Sequence, residues 1–325
     1  MRRIKIKSAK FLILCIVCII FITILFHGPV KLNKNNYIIC ITKSMDSSNG
    51  FWQSVMAGAE LAADEYGMEI SIRGADREED YEMQNKIIEE AITENPVAII
   101  LAAADYEKTT EMAKKIKEKN IKLVLVDSEV KDKIADTVIA TNNYQAGIKM
   151  GAVMKKLLKD GDEIGIISHV KGTSTAIDRE AGIRMGLTDD KNKIVETVFC
   201  DSDVKKAKEL TIEMIQKYPK ITVIAGLNQY ASVGAGNAVK ELGLEDTIKI
   251  IGFDNAREQI KYLEEGIYKA IVIQKAFNMG YLGVENAVKL IEGKKVKSEI
   301  DSGSTLITKE NMYTNLNQKL LFPFD

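Results

Sequence analysis

Histidine is scarce in this 325-residue chain, with only His27 and His169 present. A histidine-based triad therefore has His169 as its one plausible base, and no serine motif of the G-x-S-x-G type accompanies it, which removes the usual hydrolase constellation. A Walker-type phosphate loop is missing, and so is a G-x-G-x-x-G turn after the first strand-like run, so nothing points to a nucleotide. Of the four cysteines, Cys15 and Cys18 lie in an apolar run, while Cys40 and Cys200 stand singly in strand-like segments; this is neither a disulfide framework nor a zinc spacing. Four prolines and no low-complexity tract exclude a disordered or fibrous chain. A net charge of −1, with basic residues spread along the sequence, lacks the electrostatic footprint of a nucleic-acid binder.

What is present is a globular composition, 46% hydrophobic and 28% charged, over a length that suits one large or two ordinary domains. The N-terminus is distinctive. Arg2, Arg3, Lys5, Lys7 and Lys10 precede an apolar run from Phe11 to Phe26 that ends at His27-Gly-Pro29. A basic stretch before an apolar one is an export segment whose positive side stays in the cytoplasm. The run is slightly short for a spanning helix and slightly long for a signal-peptide core. No small-x-small site follows, and Leu14 and Val17 rather than small residues precede Cys15 and Cys18. The reading adopted is an uncleaved signal anchor, a transmembrane helix with the remainder of the chain outside the cytoplasm; removal or lipidation is the alternative.

From Tyr37 onward, short apolar β-branched runs alternate with amphipathic stretches. Strands are expected at 37–42, 68–73, 97–103, 121–126, 163–168, 194–199, 221–226, 248–253 and 270–274, and helices at 51–66, 80–94, 107–119, 144–159, 175–187, 203–217, 230–242 and 277–292. Several strands are apolar on both faces, as central parallel strands covered by helices are. The rhythm predicts an α/β fold with parallel, doubly wound sheets and right-handed crossovers. It repeats coarsely on either side of Thr141-Asn142-Asn143, which favours two sheets over one very wide one. Two Rossmann-like lobes would then place the carboxyl ends of both sheets around one cleft.

Polar and aromatic residues collect at these strand ends. Asp46-Ser-Ser-Asn49-Gly-Phe51-Trp52 follows the first strand and contains the only tryptophan. Aromatic faces suit the C–H side of a sugar ring and amides suit its hydroxyls, although Phe51 and Trp52 also fit a core and its edge. Asp127, Asn142, Asn228 and Asp254 follow other strands; each is a possible helix cap, but four sheet edges carrying an amide or carboxylate favour a hydroxyl-binding cleft. Arg179, early in a helix where a cation opposes the dipole, has a placement that a binding role explains. Gly234-Ala-Gly236 falls inside a helix and reads as close packing. Asp201 and Asp203 lack the further spacing of a calcium loop and read as a strand-end turn and a helix cap.

At these residues the chain resembles the periplasmic binding protein type 1 family, in its ribose- and galactose-binding branch, over about residues 37–318. The resemblance rests on Asn49-Gly-Phe51-Trp52, Leu125-Val-Asp127, Gly172-Thr-Ser with Asp178-Arg179, Ile251-Gly-Phe-Asp254 and Ile273-Gln274, in that order and spacing. It implies a periplasmic binding protein fold with two lobes and a three-stranded hinge, crossing near 141–143, 274–276 and 302–305. Residues 1–34 would be a cytoplasmic stub, anchor and linker, 35–141 plus 275–303 the N-terminal lobe, and 142–274 plus 304–325 the C-terminal lobe.

The same resemblance implies that Phe51 and Trp52 sandwich one face of a sugar ring and that Asn49 and Asp127 bond it from the first lobe. Arg179, Asn228 and Asp254 close from the second lobe, with Gln274 at the hinge. No catalysis, cofactor or metal is implied, and the partners are a monosaccharide or similar polyhydroxylated molecule and an ABC permease, or alternatively a membrane sensor such as a histidine kinase. Ser128 stands where ribose binders carry an arginine, and Ser202 where they carry a second-lobe aromatic, departures that should change which sugar fits. Transcription repressors of the lac-repressor type share the two-lobe fold, but they require a helix-turn-helix where this chain has its apolar run.

Overall fold

The computed structural model describes residues 36–322. Two six-stranded sheets organise them. The first contains β1 (Tyr37–Thr42), β2 (Glu69–Gly74), β3 (Ala98–Leu101), β4 (Lys122–Val126), β5 (Thr137–Ala140) and β11 (Glu299–Asp301), in the order β11-β5-β4-β3-β1-β2 and parallel throughout. The second contains β6 (Glu163–Ser168), β7 (Ile194–Phe199), β8 (Ile221–Gly226), β9 (Lys249–Phe253), β10 (Tyr268–Gln274) and β12 (Ser304–Ile307), ordered β12-β10-β9-β8-β6-β7, with only β12 antiparallel.

The apolar runs become central strands because helices cover both faces. Along β1, Ile38 and Cys40 join one core and Ile39 and Ile41 the core on the opposite face, all fully buried. The first core packs under α1 (Gly50–Tyr66) and α9 (Ala276–Ile291); the other packs under α2 (Tyr81–Thr93) and α3 (Thr110–Glu118). The second sheet repeats the plan. Ile164 and Ile166 face α4 (Asn143–Leu157) and α5 (Ser174–Leu187), while Ile167 and Ile224 face α6 (Val204–Lys217), α7 (Gln229–Glu241) and α8 (Arg257–Glu265). A short helix α10 (Asn315–Leu321) closes the described chain, its Leu321 reaching the same core as α7 and α8.

Three strands, β5 and the edge strands β11 and β12, are absent from the sequence expectation, as are α8 and α10. The strands are only three or four residues long: Glu299-Ile-Asp301 is two-thirds acidic, and the apolar part of Thr137-Val-Ile-Ala140 is too short to announce a strand. The third helix begins at Thr110 rather than 107, because the Asp105 carboxylate accepts from the Glu107 and Lys108 N–H groups and holds that stretch as a turn. The expected N-terminal membrane helix lies outside the described residues; among those described, no helix is long and apolar enough to cross a membrane.

The chain passes between the sheets three times: at Thr141–Asn142 from β5 to α4, at Lys275 from β10 to α9, and at Ser302–Gly303 from β11 to β12. These crossings are tied to one another. The Ser302 N–H donates to the Ala140 carbonyl at 2.9 Å and the Lys275 N–H to that of Gly303 at 3.3 Å. Three adjacent extended connections, joined by few hydrogen bonds, form a narrow seam that bends more readily than either layered lobe.

Helices α4 and α5 approach so closely that a Cβ on Gly147 would lie 2.3 Å from the Arg179 carbonyl oxygen. The helix pair α1 and α9 has the same device, Gly280 against the Val55 carbonyl at 1.8 Å. Gly147→Ala should therefore cost about 1–3 kcal/mol of stability, because backbone rather than a flexible side chain must yield. Gly50→Ala, with nothing within 4 Å of its Cβ, should stay within about 0.5 kcal/mol of the wild type in the same urea titration. Equal effects of the two substitutions would contradict this packing.

Candidate ligand-binding site

Successive strands of each sheet deliver a polar residue at the same end. In the first sheet Lys43 follows β1 and Asp127 follows β4; in the second, His169 follows β6, Asn228 follows β8 by two residues, Asp254 follows β9 and Gln274 ends β10. The two aspartates are counterparts. Each adopts the left-handed conformation, with φ of 62° at Asp127 and 71° at Asp254. The N–H of each donates to the strand beyond it, Asp127 to Ile139 at 3.0 Å and Asp254 to Val272 at 2.8 Å. A non-glycine residue held there at some conformational cost turns its carboxylate into the space between the sheets.

The eight residues to which the family resemblance assigns a role, Asn49, Phe51, Trp52, Asp127, Arg179, Asn228, Asp254 and Gln274, line one cavity between the lobes, whereas Asn142 caps α4 through the Gln145 N–H and borders a separate cavity. The eight share their cavity with Lys43, Glu78, His169, Thr175 and Gln229, which the sequence reading did not select. The cavity has a volume of about 20 Å³.

Arg179 is 2% exposed and spends its fork inside the second lobe. Its Nε donates to Asn143 Oδ1 at 2.8 Å, Nη1 to the Leu227 carbonyl at 2.7 Å and Nη2 to Gln274 Oε1 at 3.2 Å, while the guanidinium carbon lies 3.7 Å from the Phe253 ring centroid. Burial lowers its pKa, and the charges of Asp254, Asp127 and Glu78 work the other way. Asp254 accepts from Gln274 Nε2 at 2.9 Å and from the Gln229 N–H at 3.0 Å. Desolvation pushes its carboxyl up to about 6, against the opposing pull of Arg179 and the Gln274 bond. In the first lobe Lys43 Nζ pairs with Asp127 Oδ2 at 2.7 Å, both side chains almost fully buried.

Several expected roles change in detail. Asn49 is the cap of α1: its Oδ1 accepts from the Phe51 and Trp52 N–H groups at 2.9 and 3.3 Å, and its side chain also bonds Tyr230 of the other lobe. Phe51 and Trp52 meet edge to face, centroids 4.9 Å apart at 80°, so they cannot lie flat together against one side of a ring. Trp52 is 1% exposed and aims its indole N–H at Glu78 Oε1, 2.6 Å away. Asn228 divides its amide, Oδ1 capping α7 through the Ala231 N–H and Nδ2 donating to Ser202 Oγ at 3.1 Å.

His169 was passed over in a search for triads, yet it lines the cavity. Burial and the nearby Arg179 and Lys43 charges hold its pKa well below the ordinary range, so the imidazole is neutral. Its Nε2 meets Thr175 Oγ1 at 2.9 Å, and its buried Nδ1 has no hydrogen-bond partner among the described residues. Asp203 caps α6 through the Lys206 N–H, Asp201 sits in a positive-φ turn, and no cluster able to hold a metal ion occurs among the described residues.

The lobes touch directly around the cavity. Tyr230 Oη donates to Asp46 Oδ2 at 2.7 Å, Ser202 Oγ bonds Glu78, the Tyr106 N–H donates to the Gly172 carbonyl at 2.9 Å and the Glu129 N–H to Ser174 Oγ at 2.9 Å.

Comparison with known proteins agrees with this architecture. Residues 43–295 match the family model described as a periplasmic binding protein domain. The D-ribose/D-allose-binding protein of Pseudomonas aeruginosa is 26% identical over 81% of this chain and 85% of its own length, and the ribose import binding protein RbsB of Bacillus subtilis is 24% identical over 86% and 89%. Among solved structures, a sugar transporter protein from Clostridium phytofermentans is 48% identical with a TM-score of 0.80, covering 84% of this chain and 99% of its own. An ABC transporter solute-binding protein from Agrobacterium vitis, solved with D-fucose, reaches a TM-score of 0.84 at 27% identity over 88% and 99%. With two α/β lobes around a polar cleft and matches of this extent, the chain belongs to the periplasmic binding protein domain family and is a solute-binding protein, not an enzyme.

Proposed function

We propose that this protein captures a small sugar-like ligand in the cleft between its lobes, outside the cytoplasm, and delivers it to an ABC permease. The observation that carries the reading is the convergence of Asp127 and Asp254 from the two sheets, with Arg179, Lys43, Asn228 and Gln274, on one buried cavity. Acceptors and donors in near balance suit a ring that offers several hydroxyls, each both donor and acceptor. The names of the relatives, which bind ribose, allose or fucose, support the same class.

Capture requires movement, since a cavity of about 20 Å³ is smaller than any monosaccharide. Parting of the lobes about the three crossings breaks the four contacts between them and returns Arg179 and Asp254 toward water. Closing again removes buried charge from solvent, which is costly unless each group is bonded. Ligand hydroxyls supply those bonds: to the free lone pairs of Asp127 and Asp254 and to the unpartnered His169 Nδ1. The ligand thus favours the closed form by contributing contacts that exist only there. Phe51, the more accessible of the two aromatic rings, is placed to cover the C–H side of the ring. The N-terminal basic and apolar segment would hold this assembly at the outer face of the membrane, beside the permease.

Trp52 is the only tryptophan, and its indole N–H bonds Glu78 at the contact between the lobes. Its emission should shift on titration with the bound member of a panel of pentoses, hexoses and polyols. Asp254→Ala should weaken binding of that sugar by about tenfold or more, because hydroxyls and Gln274 lose a buried charged acceptor. Folding at the wild-type temperature together with unchanged affinity would refute the assignment.

A further inference from the structure

Glu78 carries a charge that the neutral-sugar reading leaves unused. In the inner cavity Lys43 and Arg179 balance Asp127 and Asp254, and Glu78 is a third carboxylate, 8% exposed, with no ion-pair partner among the described residues. Its two oxygens accept from neutral groups, Trp52 Nε1 in its own lobe and Ser202 Oγ in the other. Each carboxylate oxygen retains a lone pair. His169, held neutral by burial, adds no positive charge.

The surroundings have the same sign. Glu78 also borders an adjoining cavity of about 440 Å³ between the lobes, whose lining carries seven carboxylates against three basic groups. Arg77 there pairs with Glu79, Lys206 with Asp201 and Lys205 with Glu209, which leaves Asp46, Asp76, Glu78 and the helix cap Asp203 uncompensated by ion pairs among the described residues. On the other side, beyond Asp127, a cavity of about 430 Å³ next to the Thr141–Asn142 crossing has five carboxylates and no basic group. A third, of about 260 Å³ beside Lys275, is the exception, with Lys275 and Lys319 against Asp254. Residues 36–325 carry 38 basic against 46 acidic side chains, so the two lobes are acidic as a whole and the cleft shares that sign. A cleft of one sign between low-dielectric walls raises the local concentration of ligands of the other sign.

We propose that the ligand is a monosaccharide-sized polyol bearing one amino group, and that Glu78 is the specificity-determining residue that receives its ammonium. This rests on the sugar-binding function proposed above and narrows it. An ammonium at Glu78 completes three carboxylates with three cations in a buried space, the condition under which charges can be enclosed. A neutral hydroxyl at the same place leaves the carboxylate hydrogen-bonded but uncompensated.

The test compares D-glucosamine, D-galactosamine and D-mannosamine with D-glucose, D-galactose and D-mannose by calorimetry on the full-length chain at pH 7. The amino form of the best-bound pair should bind about tenfold tighter or more, the scale of one additional charged contact. Glu78→Gln should reduce that ratio to about threefold or less, whereas Glu78→Asp should retain part of it. The ratio is the readout, so a general loss of affinity in either variant does not mimic the result. A neutral sugar binding as tightly as its amino counterpart, or a preference that survives Glu78→Gln, overturns this proposal and leaves sugar binding standing. Binding of neither series overturns this proposal, and sugar binding falls with it only if the pentoses and polyols of the wider panel fail as well.

Discussion

A buried guanidinium sets the terms for the second lobe. Arg179 can be 2% exposed only because α4 and α5 meet at glycine, which brings Asn143 within 2.8 Å of its Nε, and because β8 and β10 end where the Leu227 carbonyl and Gln274 can receive the rest of the fork. Gln274 then holds Asp254, and Asp254 holds the start of α7 through the Gln229 N–H. One charge thus orients an amide, a carboxylate and a helix terminus. Since Gln274 immediately precedes the crossing at Lys275, the same web reaches the seam about which the lobes would move.

The first lobe solves a similar problem with less. Lys43 and Asp127 neutralise one another at 2.7 Å, and the aromatic pair beside them is fixed by the Asn49 cap and by the bond from Trp52 to Glu78. Each lobe alone keeps its polar groups partly answered. Bringing them together encloses carboxylates and cations whose remaining bonds only a third molecule can supply, which is the physical basis for coupling ligand capture to closure.

Much of this was legible in the sequence because central parallel strands must be apolar on both faces, and the residues that follow them then stand out. Asp127, Asn228 and Asp254 stand out on that ground and the two facing lobes follow from the repeated rhythm, whereas Gln274 and the hinge crossings rest on the family resemblance. Lys43 was missed since a lysine after a strand is ordinary in turns, and nothing local reveals that Asp127, far along the chain, buries it. Glu78 lies in Asp76-Arg-Glu-Glu-Asp80, a run that reads as a solvated loop; only the approach of Ser202 from the other lobe covers it. His169 was weighed as a base and dismissed, although a neutral buried imidazole is equally a hydrogen-bonding wall. The strands β5, β11 and β12 are too short to show a pattern of their own, and their order comes from pairing beside the crossings.

The central claim is that the lobes close on a ligand which completes their buried charges. Small-angle X-ray scattering of the chain, alone and saturated with a bound sugar, tests it most directly. The account predicts a larger radius of gyration without sugar, and a contraction when sugar is added. A compact profile that saturation leaves unchanged would contradict it.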